Sequence, residues 1–132
     1  MFLNSTAHAL TPEQKQKAIV YSDTIIDLKD DEPSLYERLT NCPAEITELN
    51  QLCNDYLQYL ENLYTRLNGD IVLHFPIGSP VFNALFFLHL NREKFQIRIV
   101  FSHTERVSVD ERQPDGSIIK RAVFKFVKFI EI

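Results

Sequence analysis

Glycine is scarce, and its scarcity excludes more than it suggests. The 132-residue chain holds three glycines, Gly69, Gly78 and Gly116. None falls in a G-x-G-x-x-G or G-x-x-x-x-G-K pattern, so dinucleotide and nucleoside-triphosphate sites built on glycine-rich loops are not expected. Cysteine is limited to Cys42 and Cys53, which match neither a paired-cysteine metal spacing nor a disulfide framework; both read as reduced, packed thiols. The longest apolar run, "VFNALFFLHL", is about half the ~20 residues that cross a bilayer. The start "MFLNSTAHAL" lacks the basic n-region of a signal peptide. A cytoplasmic protein without a membrane partner is the expectation. An excess of basic residues is also missing: the formal charge is −4, which argues against a duplex-DNA-binding protein.

Apolar residues are plentiful at 45%, enough for one core, and the length fits a single domain over residues 1–132. Their order alternates between strand and helix. "MFL" reads as a first strand, and in "TPEQKQKAIVY" Thr11 can cap a helix with Pro12 at its first position and Gln14 completing a capping box. "TIIDL" at 24–28 has the β-branched density of a strand buried on both faces, and "LKDDEPS" at 28–34 reads as an acidic loop.

Ile46, Leu49, Cys53, Tyr56, Leu60, Leu63 and Leu67 recur at helical steps, predicting one long helix from Pro43 to Leu67 that Asn68 and Gly69 end. "DIVLHF" is a further buried strand. "VFNALFFLHL", capped by Ser79 with Pro80 behind it, is a helix apolar nearly all round and therefore expected to be central. "FQIRIVF" is the fourth strand, and "RVSVDER" and "SIIKRAVFKFVKFIEI" form a hairpin about "QPDG", a turn sequence. The sum is an α/β fold: a Rossmann-like, mainly parallel sheet flanked by helices, with a C-terminal antiparallel β-hairpin.

In open parallel sheets ligands sit beyond the carboxyl ends of the strands, where the strand order reverses. Three segments leave such ends, "NSTAH", "HFPIGSP" and "SHTER". They supply Asn4, Ser5, Thr6, His8, His74, Gly78, Ser79, Ser102, His103, Thr104 and Arg106 as candidate ligand-binding residues. Arg106 is the sharpest of these, because a guanidinium can grip a phosphate with two hydrogen bonds. His8, His74 and His103 carry no metal-ligand spacing, and no metal or other cofactor is expected. The aromatic stripe Phe124, Phe126 and Phe129 reads as core or interface.

The sequence resembles the small stand-alone CRISPR-associated proteins of CARF-like fold, in particular the ring nucleases of type III systems. The resemblance runs along most of the chain. It comprises a polar loop with His8 before the "TPEQ" helix start, the glycine turn after the third strand, "SHTER" where those proteins carry Ser-Thr-Thr-Glu-Arg, the "DG" hairpin and the aromatic ending "FKFVKFIEI". His103 replaces a threonine, and Ser79 follows Gly78 where an acidic residue is common.

The resemblance implies a homodimer that holds a cyclic oligoadenylate, cyclic tetra-adenylate first, across its two-fold axis. It also implies metal-independent cleavage, in which a ribose 2′-OH attacks the adjacent phosphorus. Arg106, Ser102 and N–H groups near Ser79 would stabilise the developing charge, and Ser5 and Thr104 would orient the backbone. His103, or else His8, would act as general acid or base. Two other readings stand beside it: a protein that binds or sequesters a cyclic nucleotide without cutting it, and a Rossmann-like interaction protein with no nucleotide ligand.

Overall fold

A computed structural model describes residues 1–132. One five-stranded sheet has the order β2-β1-β3-β4-β5, with β1 (Phe2–Asn4), β2 (Ile25–Asp27), β3 (Val72–Phe75), β4 (Arg98–Arg112) and β5 (Ile118–Glu131). The first four strands run parallel, and β5 returns antiparallel to β4. The expected α/β architecture is present. No helix is long and apolar enough to cross a membrane.

Strand alternation sorts the core into two layers. Leu3, Leu73, Phe75 and Ile99 face one side, where they pack with Leu28 of α2 (Leu28–Asp31), Leu35 and Leu39 of α3 (Pro33–Thr40), α4 (Ile46–Arg66) and Phe82 and Phe86 of α5 (Pro80–His89). Phe2, Val72, Val100 and Phe129 face the other, beneath Leu10 and Ala18 of α1 (Pro12–Ala18). The α1 capping box forms as the sequence requires, with Gln14 N–H donating to Thr11 Oγ1 at 3.2 Å and Thr11 N–H to Gln14 Oε1 at 2.9 Å. Asn68 and Gly69, at φ 54° and 86°, end α4 in the left-handed region, where an adjoining glycine costs nothing.

Four expectations change. The stretch 28–34 is not a loop: Leu28 is fully buried and opens α2, and Pro33 sits in the first turn of α3, so the proline marks a helix start rather than a break. The "TIIDL" strand narrows to Ile25–Asp27 and is half-buried, because β2 is the edge of the sheet. Helix α5 is not enclosed: Phe82 and Phe86 face the core, while Val81 and Leu88 are exposed. Finally, "SHTER" does not follow the fourth strand but lies within it. Strand β4 continues to Arg112, held to β5 from Val100↔Glu131 to Arg112↔Ile118 with a bulge opposite His103/Thr104. Beyond Phe101, the last β4 residue in register with β3, the two strands form a ribbon that no other strand flanks.

Candidate functional site

The chain passes from β1 to β2 on one side and later to β3 on the other side of β1. The carboxyl ends of β1 and β3 therefore flank the switch point, the place where open α/β sheets take ligands. Asn4 and His74 are in direct register there. Both are buried, as is Ser5, and these three are the buried polar residues of the chain.

Asn4 is the hub. Its Nδ2 donates to Asp27 Oδ1 at 2.7 Å and to the His8 carbonyl at 2.9 Å. Only this orientation of the amide gives both acceptors a donor, so Oδ1 is the acceptor for Thr6 Oγ1–H at 2.8 Å, for Thr6 N–H at 3.3 Å and for His74 Nδ1 at 2.9 Å. The imidazole thus carries its proton on Nδ1. Its Nε2 lone pair faces Ser102 Oγ at 2.8 Å, and Gln14 Nε2 donates to the same Ser102 oxygen at 3.0 Å. Phe2 and Phe129 pack against the His74 ring at centroid distances of 5.9 and 5.0 Å. Burial in this setting pulls the imidazole down to about 4, while the negative charge of Asp27 acts in the opposite direction. His74 is neutral at physiological pH, which matches its Nδ1–H, Nε2-acceptor form.

On the opposite face of β1, Ser5 accepts a 2.7 Å hydrogen bond from the fully buried Tyr56 hydroxyl of α4, and burial raises that phenol far above its ordinary range. No buried side-chain polar atom lacks a partner. A cavity of about 240 Å³ opens beside the array, lined by Asn4, Thr6, His8, Asp27, Lys29 and Tyr36 among others.

The structure brings together Asn4, Thr6, His74 and Ser102, and places the Ser5 side chain on the other face of β1 with Tyr56. It uses His8 through its backbone carbonyl and leaves its side chain exposed. Ser79 caps α5 by accepting from Phe82 N–H at 3.2 Å, and the space around the Gly78 Cα is open. His103, Thr104 and Arg106 are exposed on the ribbon. By strand alternation His103 points to the face opposite Ser102, and Arg106 lies about 13 Å along the strand from it. One atom of a ligand therefore cannot meet Ser102, His103 and Arg106 of the same chain together.

Asp27 and Gln14 complete the array, and Tyr56 holds Ser5 on the other face; none of the three reads as a site residue in the sequence. Asp27 ends its strand beside Asn4, which the "TIID" run signals only once β2 is known to neighbour β1. Gln14 read as a capping-box residue, and it is one; its Oε1 serves the cap while its Nε2 serves Ser102. Tyr56 is part of the apolar stripe of α4. Both cysteines are free, and burial pushes the Cys53 thiol up to about 11, making it a poor nucleophile. No group of three or more His, Cys, Asp or Glu side chains is placed to hold a metal ion.

A family model described as the uncharacterized protein MJ1673 family matches residues 1–130, and the chain belongs to that family. No curated protein and no solved structure gives a significant match to it.

Proposed function

We propose that this member of the MJ1673 family binds a cyclic oligoadenylate, cyclic tetra-adenylate first, at the carboxyl ends of β1 and β3, and cleaves it without a metal. The observation that carries the reading is the Asn4–His74–Ser102 array at the switch point of the sheet, flanked by an open polar cavity. The sequence resemblance to ring nucleases supplies the ligand class. Cleavage proceeds by in-line attack of a ribose 2′-oxygen on its neighbouring phosphorus with loss of the 5′-oxygen, and the protein contributes position and charge stabilisation. A ring of four adenylates is large enough to meet the strand-end array and Arg106 at different phosphates. Incubation with labelled cyclic tri-, tetra- and hexa-adenylate in excess chelator tests the reading: linear products from one ring support it, and absence of binding to all three rejects it.

Arg106→Ala is expected to weaken binding of that ring by roughly ten- to a hundredfold through loss of a charge-assisted contact. Calorimetric titration of the variant measures this, and an unchanged affinity removes Arg106 from the site. A second reading, binding without cutting, draws on the placement of His103 on the ribbon face away from Ser102. His103→Ala separates the two: a general acid or base contributes ~10²–10⁴ in rate and little in ground-state affinity.

The reading includes a homodimer. Ile118, Ile119, Phe124, Val127 and Ile130 are exposed along β5, an edge strand, and Ile132 is exposed just past its end. A two-stranded ribbon has little stability of its own, and an apolar open edge invites pairing. Sedimentation is expected to show a dimer at micromolar concentration; a monomer there counts against a site shared across a two-fold axis.

A further inference from the structure

We propose that Ser102 is the specificity-determining contact for a ribose 2′-hydroxyl, acting as a hydrogen-bond acceptor and not as a donor to phosphate. The proposal rests on the cyclic oligoadenylate reading above and assigns the chemical group that this part of the site selects.

A hydroxyl has one donor and two acceptor lone pairs. Asn4 Oδ1, fixed by the two donations of its Nδ2, takes the His74 Nδ1 proton at 2.9 Å, and this leaves Nε2 without one. Ser102, 2.8 Å away, must therefore direct its only proton at Nε2. Gln14 fills one lone pair of Ser102 Oγ from 3.0 Å. One lone pair remains, on a half-buried residue just past the end of the β3–β4 pairing. A phosphate oxygen, which only accepts, finds no proton there, whereas a ribose 2′-hydroxyl donates to it. This role for Ser102 differs from the charge stabilisation that the resemblance implies. Asn4 and His74 are positioning residues in this scheme: they set the direction of the Ser102 proton.

The same contact holds the 2′-oxygen of the attacking ribose in place. Ser102 accordingly influences both choice of ring and alignment for cleavage, and the binding part of the claim can be read without any turnover.

Calorimetry with cyclic tetra-adenylate and its all-2′-deoxy counterpart provides the test. The wild-type protein is expected to prefer the ribose ring by roughly tenfold or more, the value of a hydrogen bond whose site is left unpaired by the analogue. Ser102→Ala should bring the two rings within about twofold of each other, and Ser102→Thr, which keeps the hydroxyl, should retain most of the preference. These substitutions lie at a half-buried strand position and leave the apolar core intact. Equal binding of both rings by the wild type, or an undiminished preference in Ser102→Ala, overturns the proposal while leaving the cyclic oligoadenylate reading in place. Failure of the ribose ring to bind the wild type overturns that reading and this proposal together.

Discussion

Asn4→Ala is expected to destabilise the protein by about 2–4 kcal/mol and to lower its melting temperature by on the order of 10 °C. The size follows from the number of partners the amide serves. Removing it takes the charge-assisted donor from Asp27, the donor from the His8 carbonyl and the acceptor from Thr6 and His74. Asp27 and Thr6 are partly exposed and recover some of the loss from water, but His74 is buried and its Nδ1–H is left unpaired. An unsatisfied buried donor costs about 1–3 kcal/mol by itself.

Asn4→Asp provides a sharper contrast. It keeps an oxygen for His74 but sets a second carboxylate where Nδ2 stood 2.7 Å from Asp27 Oδ1, and like charges that close cannot both stay ionised. That variant should be unstable at neutral pH and regain stability as the pair takes up a proton on mild acidification. Urea unfolding at pH 7.5 and pH 5 measures both variants. A loss below about 1 kcal/mol for Asn4→Ala would mean that Asn4 is not the hub of the array.

Stability should also fall by up to about 3 kcal/mol between pH 6.5 and pH 4, and His74 is the reason. The folded imidazole is pulled from 6.5 down to about 4, chiefly by burial. Within this interval the unfolded chain binds a proton that the folded chain does not. The stabilisation is therefore complete above 6.5 and is lost progressively as pH falls toward 4, at about 1.4 kcal/mol per unit at most. Carboxyls held low by hydrogen bonds, such as Asp55 beside Arg38, act in a different window, since their contribution declines only below their ordinary value near 4. Denaturant midpoints between pH 7.5 and 4.5 give the slope, and His74→Gln should flatten it. A wild-type midpoint that does not move over this range would show that His74 is not held neutral by burial.

The local devices of the fold are legible in the residues themselves. Thr11, Pro12 and Gln14 announce the start of α1, Asn68 and Gly69 the end of α4, and Pro114-Asp115-Gly116 the tip of the ribbon, where Gly116 adopts φ 86° and Asp115 caps Ser117 N–H at 2.9 Å. Each depends on atoms a few residues apart. The misread segments depend on distant ones. Leu28 ends up in the core because α3, α4 and the sheet close over it, and the acidic residues beside it conceal this in the sequence. "SHTER" continues as a strand because residues 118–131 supply the hydrogen bonds for it, and its polar residues then alternate between two faces of a ribbon.

Candidate residues for the site were legible for a related reason, because polar residues at the carboxyl ends of parallel strands stand out against apolar neighbours. Asn4, Ser5 and His74 are of this kind, and Ser102 stands just past the end of the β3–β4 pairing, inside the longer strand β4. The bonds among them were not. Asn4 and His74 are 70 residues apart and meet only because β3 enters the sheet next to β1, while Gln14 reaches Ser102 only because α1 packs across that face of the sheet.

The sequence by itself determined the α/β class, the capped ends of α1 and α4, the turn of the final hairpin and the residue types available at the strand ends. These follow from backbone preferences and side-chain periodicity, which act over one or two turns of chain. Only the tertiary structure decided which polar groups share a proton, that His74 is buried and neutral, and that Arg106 stands apart from Ser102. Strand order and burial fix those outcomes, and both arise from contacts between segments that the linear chain keeps far apart.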